Sequence, residues 1–341
     1  MSRRSAQRLV VQGLGVEIGR PLVRDVSFAI EPGTVFGLLG ESGSGKTLTN
    51  RAILGLLPRG ATASGSVRLG DQELLNMAPR QLRTVRGARI AMIFQDPMSA
   101  LNPLMRVDTA IAQVVQAHQD VGRRQARIRA VDLMERVGIR DAALRARSYP
   151  HEFSGGMRQR IVIAMALASR PSLLLADEPT TALDVLVQAE ILALIDGLRR
   201  EEGMSVLLVS HDFAVVAGSS DVVGVMYAGE MVEVGAAADV LSRPRHPYTA
   251  GLLSSHPQGH ARGTLAAIPG SPPDPGLLPS GCGFAPRCGR VEPDCRVAPI
   301  AMVSGPSSGP LGAVRCLHPL ESGPLESGPH ESGPHVDRSA G

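Results

Sequence analysis

The 341-residue chain carries 35 Lys plus Arg against 32 Asp plus Glu, a formal charge of +3, with 43% hydrophobic and 20% charged residues. That composition is globular rather than disordered, and so small a charge, spread along the chain, gives no basis for a nucleic-acid partner. The length exceeds one ordinary domain, so one large domain with an appendage is expected.

No apolar run is long enough to cross a bilayer; the best candidate, "IVIAMALASRPSLLLA", is broken by Arg170 and Pro171. The first residues, "MSRRSAQRLVVQG", lack the apolar segment of a secretory signal. A cytosolic chain is expected, with any membrane role coming through a partner.

Residues 9–36 alternate short β-type runs ("RLVVQGLGVEI", "DVSFAI", "TVFGLLG") with turn residues, which predicts an antiparallel β piece feeding a parallel core. The loop "GESGSGKT" follows: Gly40, Glu41, Ser42, Gly43, Ser44, Gly45, Lys46 and Thr47. It fits G-x-x-x-x-G-K-[ST], with a strand before it and the helical spacing of "LTNRAILGLL" after it. Backbone N–H groups of such a loop cradle phosphates, Lys46 adds a point charge, and the Thr47 hydroxyl is placed to ligate Mg²⁺. Lys46 is the only lysine in the chain, every other basic position being arginine. A compact ammonium on a slender stem enters a narrow phosphate loop that a planar guanidinium does not.

Beyond the loop, "SGSVRLGDQEL" predicts a hairpin strand and "RIAMIFQDP" a buried strand ending at Pro97, followed by helical spacing over about 98–157. Ser154, Gly155 and Gly156 in "FSGGMRQR" open another helix, a second N-terminus suited to phosphate. The strands "SLLLADEP" and "MSVLLVSHD" flank the helix "VQAEILALIDGLRREEG", so the sheet is parallel with a helical insertion. The first of these strands delivers Asp177, expected to hold Mg²⁺ through water, and Glu178, expected to act as general base on the attacking water. After about residue 244 proline and glycine become dense. The last twenty-one residues repeat "ESGPL" and "ESGPH", which predicts a disordered tail.

Taken together, these motifs resemble the ATP-binding subunit of an ABC transporter. "GESGSGKT" matches the Walker A loop, Gln95 in "FQDP" the Q-loop, "FSGGMRQR" with Gln159 the signature, "LLLADE" Walker B, Asp184 in "TALD" the D-loop, and His211 in "VSHD" the switch histidine. The resemblance covers residues 9 to about 240. It implies an α/β P-loop NTPase with a RecA-like parallel sheet, an antiparallel β subdomain and a helical subdomain, binding ATP and Mg²⁺. It also implies two such domains facing head to tail, each ATP lying between one Walker A and the partner's Ser154, Gly155 and Gly156. His211 would contact the γ-phosphate, and Gln95 would sense Mg²⁺ near the membrane partner. One departure stands out: where the family usually stacks adenine on an aromatic near the first strand, Ile18 is the nearest match here, at a loss of roughly 1 kcal/mol of stacking.

"MYAGEMVEVG", "HPYTAGLL", "IPGSPPDP" and "GCGFAPRC" resemble the extension of ATPases in oligopeptide/dipeptide importers, carrying the match to about residue 320. The expected division is an ATP-binding domain over 1–245, the extension over 246–320 and the tail over 321–341. All four cysteines, Cys282, Cys288, Cys295 and Cys316, lie in the extension. A disulfide framework does not suit a cytosolic chain, clustered cysteines suggest a metal, and the gaps lack the C-x₂-C pairs of zinc ribbons. A 4Fe-4S cluster, which related importers place here, is favoured over Zn²⁺, with free thiols third. The resemblance implies an ATPase that energises a peptide importer on the cytoplasmic face of the membrane. Its partners would be two permease subunits, a second, related ATPase and an extracytoplasmic peptide-binding protein. The alternatives are another cargo (nickel, an antimicrobial peptide or another solute) and a soluble, non-transport ABC ATPase.

Overall fold

A computed structural model describes residues 6–181, 183–255, 268–274, 278–304 and 312–321. The "ESGPH" tail lies, from residue 322 onward, outside them.

Two sheets organise the chain. The first is antiparallel, in the order β2-β1-β4-β5: β1 Leu9–Glu17, β2 Pro21–Ile30, β4 Thr62–Leu69 and β5 Gln72–Glu73. Leu9, Val11, Leu14 and Val16 of β1 are buried against Val23, Val26 and Phe28 of β2, so this sheet has one dry face, as expected of an antiparallel sheet lying over a core. The second has eight strands in the order β11-β12-β10-β9-β3-β8-β7-β6. Its parallel part comprises β3 Val35–Leu39, β6 Ile90–Ile93, β7 Leu173–Asp177, β8 Ser205–Val209 and β9 Val222–Tyr227. β3, β7 and β8 are buried at every residue, the unbroken apolar pattern of strands covered on both faces. β10 Glu230–Ala236, β11 Val303–Ser304 and β12 Ala313–Val314 continue the sheet antiparallel.

The expected helical insertion is present. Helix Arg123–Arg136 buries Ala126, Ala130, Leu133 and Met134, one face at helical spacing, and packs with helices Val107–His118 and Gly155–Leu167. Helix Val185–Glu202 turns Ile191, Ile195 and Leu198 inward and stops at Gly203, whose φ of 69° suits a left-handed cap.

One expectation changes. The strand expected to run to Pro97 ends at Ile93; Asp96 caps the short helix Pro97–Ala100, and the intervening residues leave the sheet. The extension also buries more than its proline and glycine content suggests. Helix Pro247–Ser254 uses its proline at the first helical position, and Tyr248 and Phe284 pack with Tyr227 and Val225 in a core shared with the ATP-binding part.

Candidate active site

Four neighbouring strands deliver the site. β3 runs into the loop 40–45, β8 towards His211, β7 into Asp177 and Glu178, and β6 towards Gln95; in the sheet they stand in the order β3-β8-β7-β6. Val209 is in register with both Leu38 and Asp177. Loop, histidine and carboxylates therefore leave along the carboxyl edge, where open α/β sheets bind ligands.

The loop is shaped by glycine. Gly40 has φ 152°, and a Cβ there would stand 2.3 Å from the Met226 carbonyl oxygen, so only glycine fits. Gly45, at φ 103°, leads directly into helix Lys46–Ile53, whose first N–H groups have no intrahelical acceptor. Lys46 is 5% exposed. Its Nζ donates to Gly40 O at 2.7 Å and Glu41 O at 2.9 Å. Burial lowers its pKa, while the Glu178, Asp177 and Glu41 carboxylates pull it back up. A phosphate oxygen entering the loop would compete with those two carbonyls for the ammonium.

Thr47 Oγ1 donates to Asp177 Oδ1 at 3.2 Å. A hydroxyl and a carboxylate at this spacing form the oxygen pair that Mg²⁺ takes beside phosphates. Asp177 is buried, and burial pushes its carboxyl pKa up, against the Thr47 hydrogen bond.

Glu178 follows with φ 48°, a left-handed backbone that costs a non-glycine residue about 1–3 kcal/mol. Its N–H donates to Val209 O at 3.0 Å, which holds the turn. Glu178 Oε2 then gathers three partners: Gln95 Nε2 at 3.1 Å, Thr181 Oγ1 at 3.0 Å and His211 Nδ1 at 3.1 Å. A carboxylate so oriented, with an exposed histidine and glutamine beside it, can take a proton from water at the mouth of the loop.

Ser154 caps helix Gly155–Leu167 by accepting from Met157 N, and Asp184 caps helix Val185–Glu202 by accepting from Val187 N. The two helix starts touch: a Cβ on Gly156 would lie 2.6 Å from Val187 Cγ1. Ser154, Gly155, Val185 and Leu186 are exposed. Gln159 is buried, and its Nε2 finds no hydrogen-bond partner among the described residues. No hydrogen bond or ion pair among the described residues joins Ser154, Gly155 or Gly156 to the Lys46–Glu178 group. Ile18 sits half-buried in the turn between β1 and β2.

In the extension, Cys282, Cys288, Cys295 and Cys316 line one small cavity with His246 and His318. All four are free thiols, a soft donor set whose chemistry fits an iron–sulfur cluster or zinc. Burial pushes the Cys282 thiol up to about 11 and raises Cys288 and Cys316 too. Ligand atoms of Asp294, Cys295 and His318 lie within 4.8 Å of one another, and His318 Nε2 is 2.9 Å from Asp294 Oδ1.

Sequence reasoning did not find the residues that tie the extension down. Arg315, beside Cys316, donates to Met231 O, Ile300 O and Asp25 Oδ2. Arg287, beside Cys288, reaches Glu41. A basic residue directly before a cysteine was the one available signal, and it names no partner.

A family profile described as ABC transporter matches residues 23–181, and one described as the C-terminal region of the oligopeptide/dipeptide transporter matches residues 232–295. The chain is 45% identical over 300 residues to the oligopeptide transport ATP-binding protein OppD of Salmonella typhimurium, covering 88% of each chain. It is 46% identical to the dipeptide transport ATP-binding protein DppD of Bacillus subtilis over 78% of this chain and 80% of that one. Among solved structures it resembles a dimeric ATP-binding cassette in a post-hydrolysis state with ADP and Pi. That match has a TM-score of 0.60 and 25% identity, over 67% of this chain and 98% of that one.

Proposed function

The chain belongs to the oligopeptide/dipeptide branch of the ABC transporter ATP-binding proteins and is an ATPase that energises a peptide importer, and we propose that Glu178 is its general base. The convergence of Gln95, Thr181 and His211 on Glu178 Oε2, next to the Thr47–Asp177 pair, carries this reading. Loop amides of residues 40–47 and the Lys46 ammonium bind the β- and γ-phosphates. Thr47 and Asp177, with Gln95, would hold Mg²⁺, which neutralises charge on the phosphate oxygens. Glu178 takes the proton of the attacking water, while His211 and Gln95 orient that water and the γ-phosphate. Glu178→Gln keeps shape and hydrogen bonding but not basicity. The expected result is retained ATP binding with hydrolysis down roughly 10²-fold or more; turnover at the parent rate would assign the base elsewhere.

Ser154, Gly155, Gly156 and Gln159 serve the ATP held by a partner cassette: Ser154 and Gly155 are exposed, Gly156 lies beside the exposed start of helix Val185–Glu202, and no hydrogen bond among the described residues ties Ser154, Gly155 or Gly156 to this chain's own Lys46–Glu178 group. The partner is a related ATPase, and the pair docks on two permease subunits at the cytoplasmic face of the membrane, supplied by an extracytoplasmic peptide-binding protein. No helix among the described residues is long and apolar enough to cross a membrane, which suits a peripheral subunit. We read residues 1–245 as the ATP-binding domain and 246–320 as the extension. Cys282, Cys288, Cys295 and Cys316 would hold a 4Fe-4S cluster, with Zn²⁺ as runner-up; either group, when bound, supplies a cross-link between segments that are far apart in the chain.

A further inference from the structure

An acidic side chain directly after Gly40 is a liability in a loop meant to receive a triphosphate. Backbone N–H groups and the Lys46 ammonium are collected there to meet negative charge, and Glu41 brings negative charge of its own. It is near enough to be felt: Glu41 is among the carboxylates that act on Lys46. The structure answers this charge from 246 positions away. Arg287, at the end of a single 3₁₀ turn Ala285–Arg287 in the extension, meets both Glu41 oxygens, Nη1 to Oε2 at 2.8 Å and Nη2 to Oε1 at 3.1 Å.

The pair differs from the surface pairs of this chain. The Arg287 side chain is 5% exposed, whereas Arg20–Asp274, another link to the extension, is half exposed at both ends. Exposed pairs contribute little, but removing Arg287 from this two-pronged pair leaves the half-buried Glu41 carboxylate, 24% exposed, without compensation. Arg287 is also fixed independently of Glu41: its Nε donates to Pro269 O at 2.9 Å and its Nη1 to Tyr227 Oη at 3.3 Å. The Glu41 backbone is held by the same extension, its N–H donating to Tyr248 Oη at 2.9 Å.

We propose that Arg287 is a positioning residue of the nucleotide loop, cancelling the Glu41 charge and holding that side chain off the phosphates, so that affinity for ATP depends on the extension being seated. This rests on the reading of residues 40–47 as the phosphate site. Glu41 without Arg287 repels the triphosphate in ground state and transition state alike, which weakens binding and leaves turnover of bound ATP unchanged.

The test is a mutant cycle on the full-length chain, reading Kd and KM for ATP, kcat, and Tm as a check on folding. Arg287→Met should raise Kd and KM on the order of tenfold, a coupling of ordinary size, with kcat within about twofold. Arg287→Lys should keep most of the affinity. Glu41→Gln in the Arg287→Met background should return Kd to within about twofold of Glu41→Gln alone, because the charge needing compensation is gone. A structural role for Arg287 predicts no such rescue, so a defect that persists in the double variant overturns the proposal, as does an unchanged Kd in Arg287→Met. Should Arg287→Met not fold, Arg287→Gln, which keeps a donor for Pro269 O but no charge, carries the same expectations. Lys46→Ala separates this proposal from the reading beneath it. If Lys46→Ala binds ATP as tightly as the parent, the phosphate site itself is misplaced and the proposal falls with it. If Lys46→Ala loses ATP while Arg287→Met binds normally, only the proposal is overturned.

Discussion

Asp177, proposed to hold Mg²⁺, works against the fold that holds it. Its carboxyl is buried and raised in pKa by that burial, so the folded chain favours its protonated form. With the folded pKa above the unfolded one near ~3.9, its favourable contribution is present at low pH and is lost as pH rises through the folded value. Without nucleotide and Mg²⁺, Asp177→Asn should therefore raise Tm at pH 7, and the gain should shrink as pH falls through the carboxyl's raised folded value. Calorimetry across that range checks it; a less stable variant at pH 7 would contradict the assigned sign. Lys46 and Asp177 were legible in sequence because loop chemistry and strand position are local. Arg287 and Tyr248 were not singled out, nor was the bond of the D-loop's Thr181 to Glu178, because a partner brought by tertiary folding leaves no spacing to read.

Among elements, the two touching helix starts at Ser154 and Asp184 matter most. Each ends in an exposed side chain that caps its own helix, and Val185 and Leu186 beside them are about four-fifths exposed apolar residues. A partner cassette would cover this patch. Ser154→Arg puts a bulky cation at the helix start and removes the cap, leaving the loop 40–47 untouched. ATP binding should survive, and ATP-dependent dimerisation, followed by size-exclusion chromatography, should fail with Glu178→Gln as background. Unchanged dimerisation would argue against an interface here. Element types were readable from apolar runs, since β7 and β8 are apolar at nearly every residue. Element ends were less so: β6 stops at Ile93 because Gln95 must leave the sheet to reach Glu178, a tertiary demand that "FQDP" does not display. Helix Pro247–Ser254 escaped notice because its proline sits at the one helical position that tolerates it.

At the scale of the whole molecule, the extension is built into the ATPase rather than hung from it. β12 pairs with β10, Arg315 reaches Asp25 in the antiparallel sheet, and Tyr248 and Phe284 share a core with Val225. The metal proposed for the four cysteines would add a further cross-link. Burial keeps Cys282 a neutral thiol at pH 7, with a pKa of about 11, so binding of the proposed metal would expel protons and should weaken as pH falls. Protein purified without oxygen should be brown with about four irons per chain. Cys288→Ser should lose the metal and make the extension protease-sensitive while ATP still binds; metal-free parent protein with four titratable thiols and the same protease pattern would end the metal reading. Sequence placed the cysteines in one segment, but their meeting in one cavity with His246 depends on β10 and β12 pairing across 79 residues, from Val234 to Ala313.

The solitary Lys46 has a practical side. Its Nζ is the only side-chain amine in the chain and lies inside the loop proposed to close on phosphate. Amine-selective acylation of a side chain therefore has a single address. Lys46 is buried even without nucleotide, so acylation needs the loop to open; slower modification of that one peptide with ATP than without it, counted by mass spectrometry, would read nucleotide protection without a probe being built in.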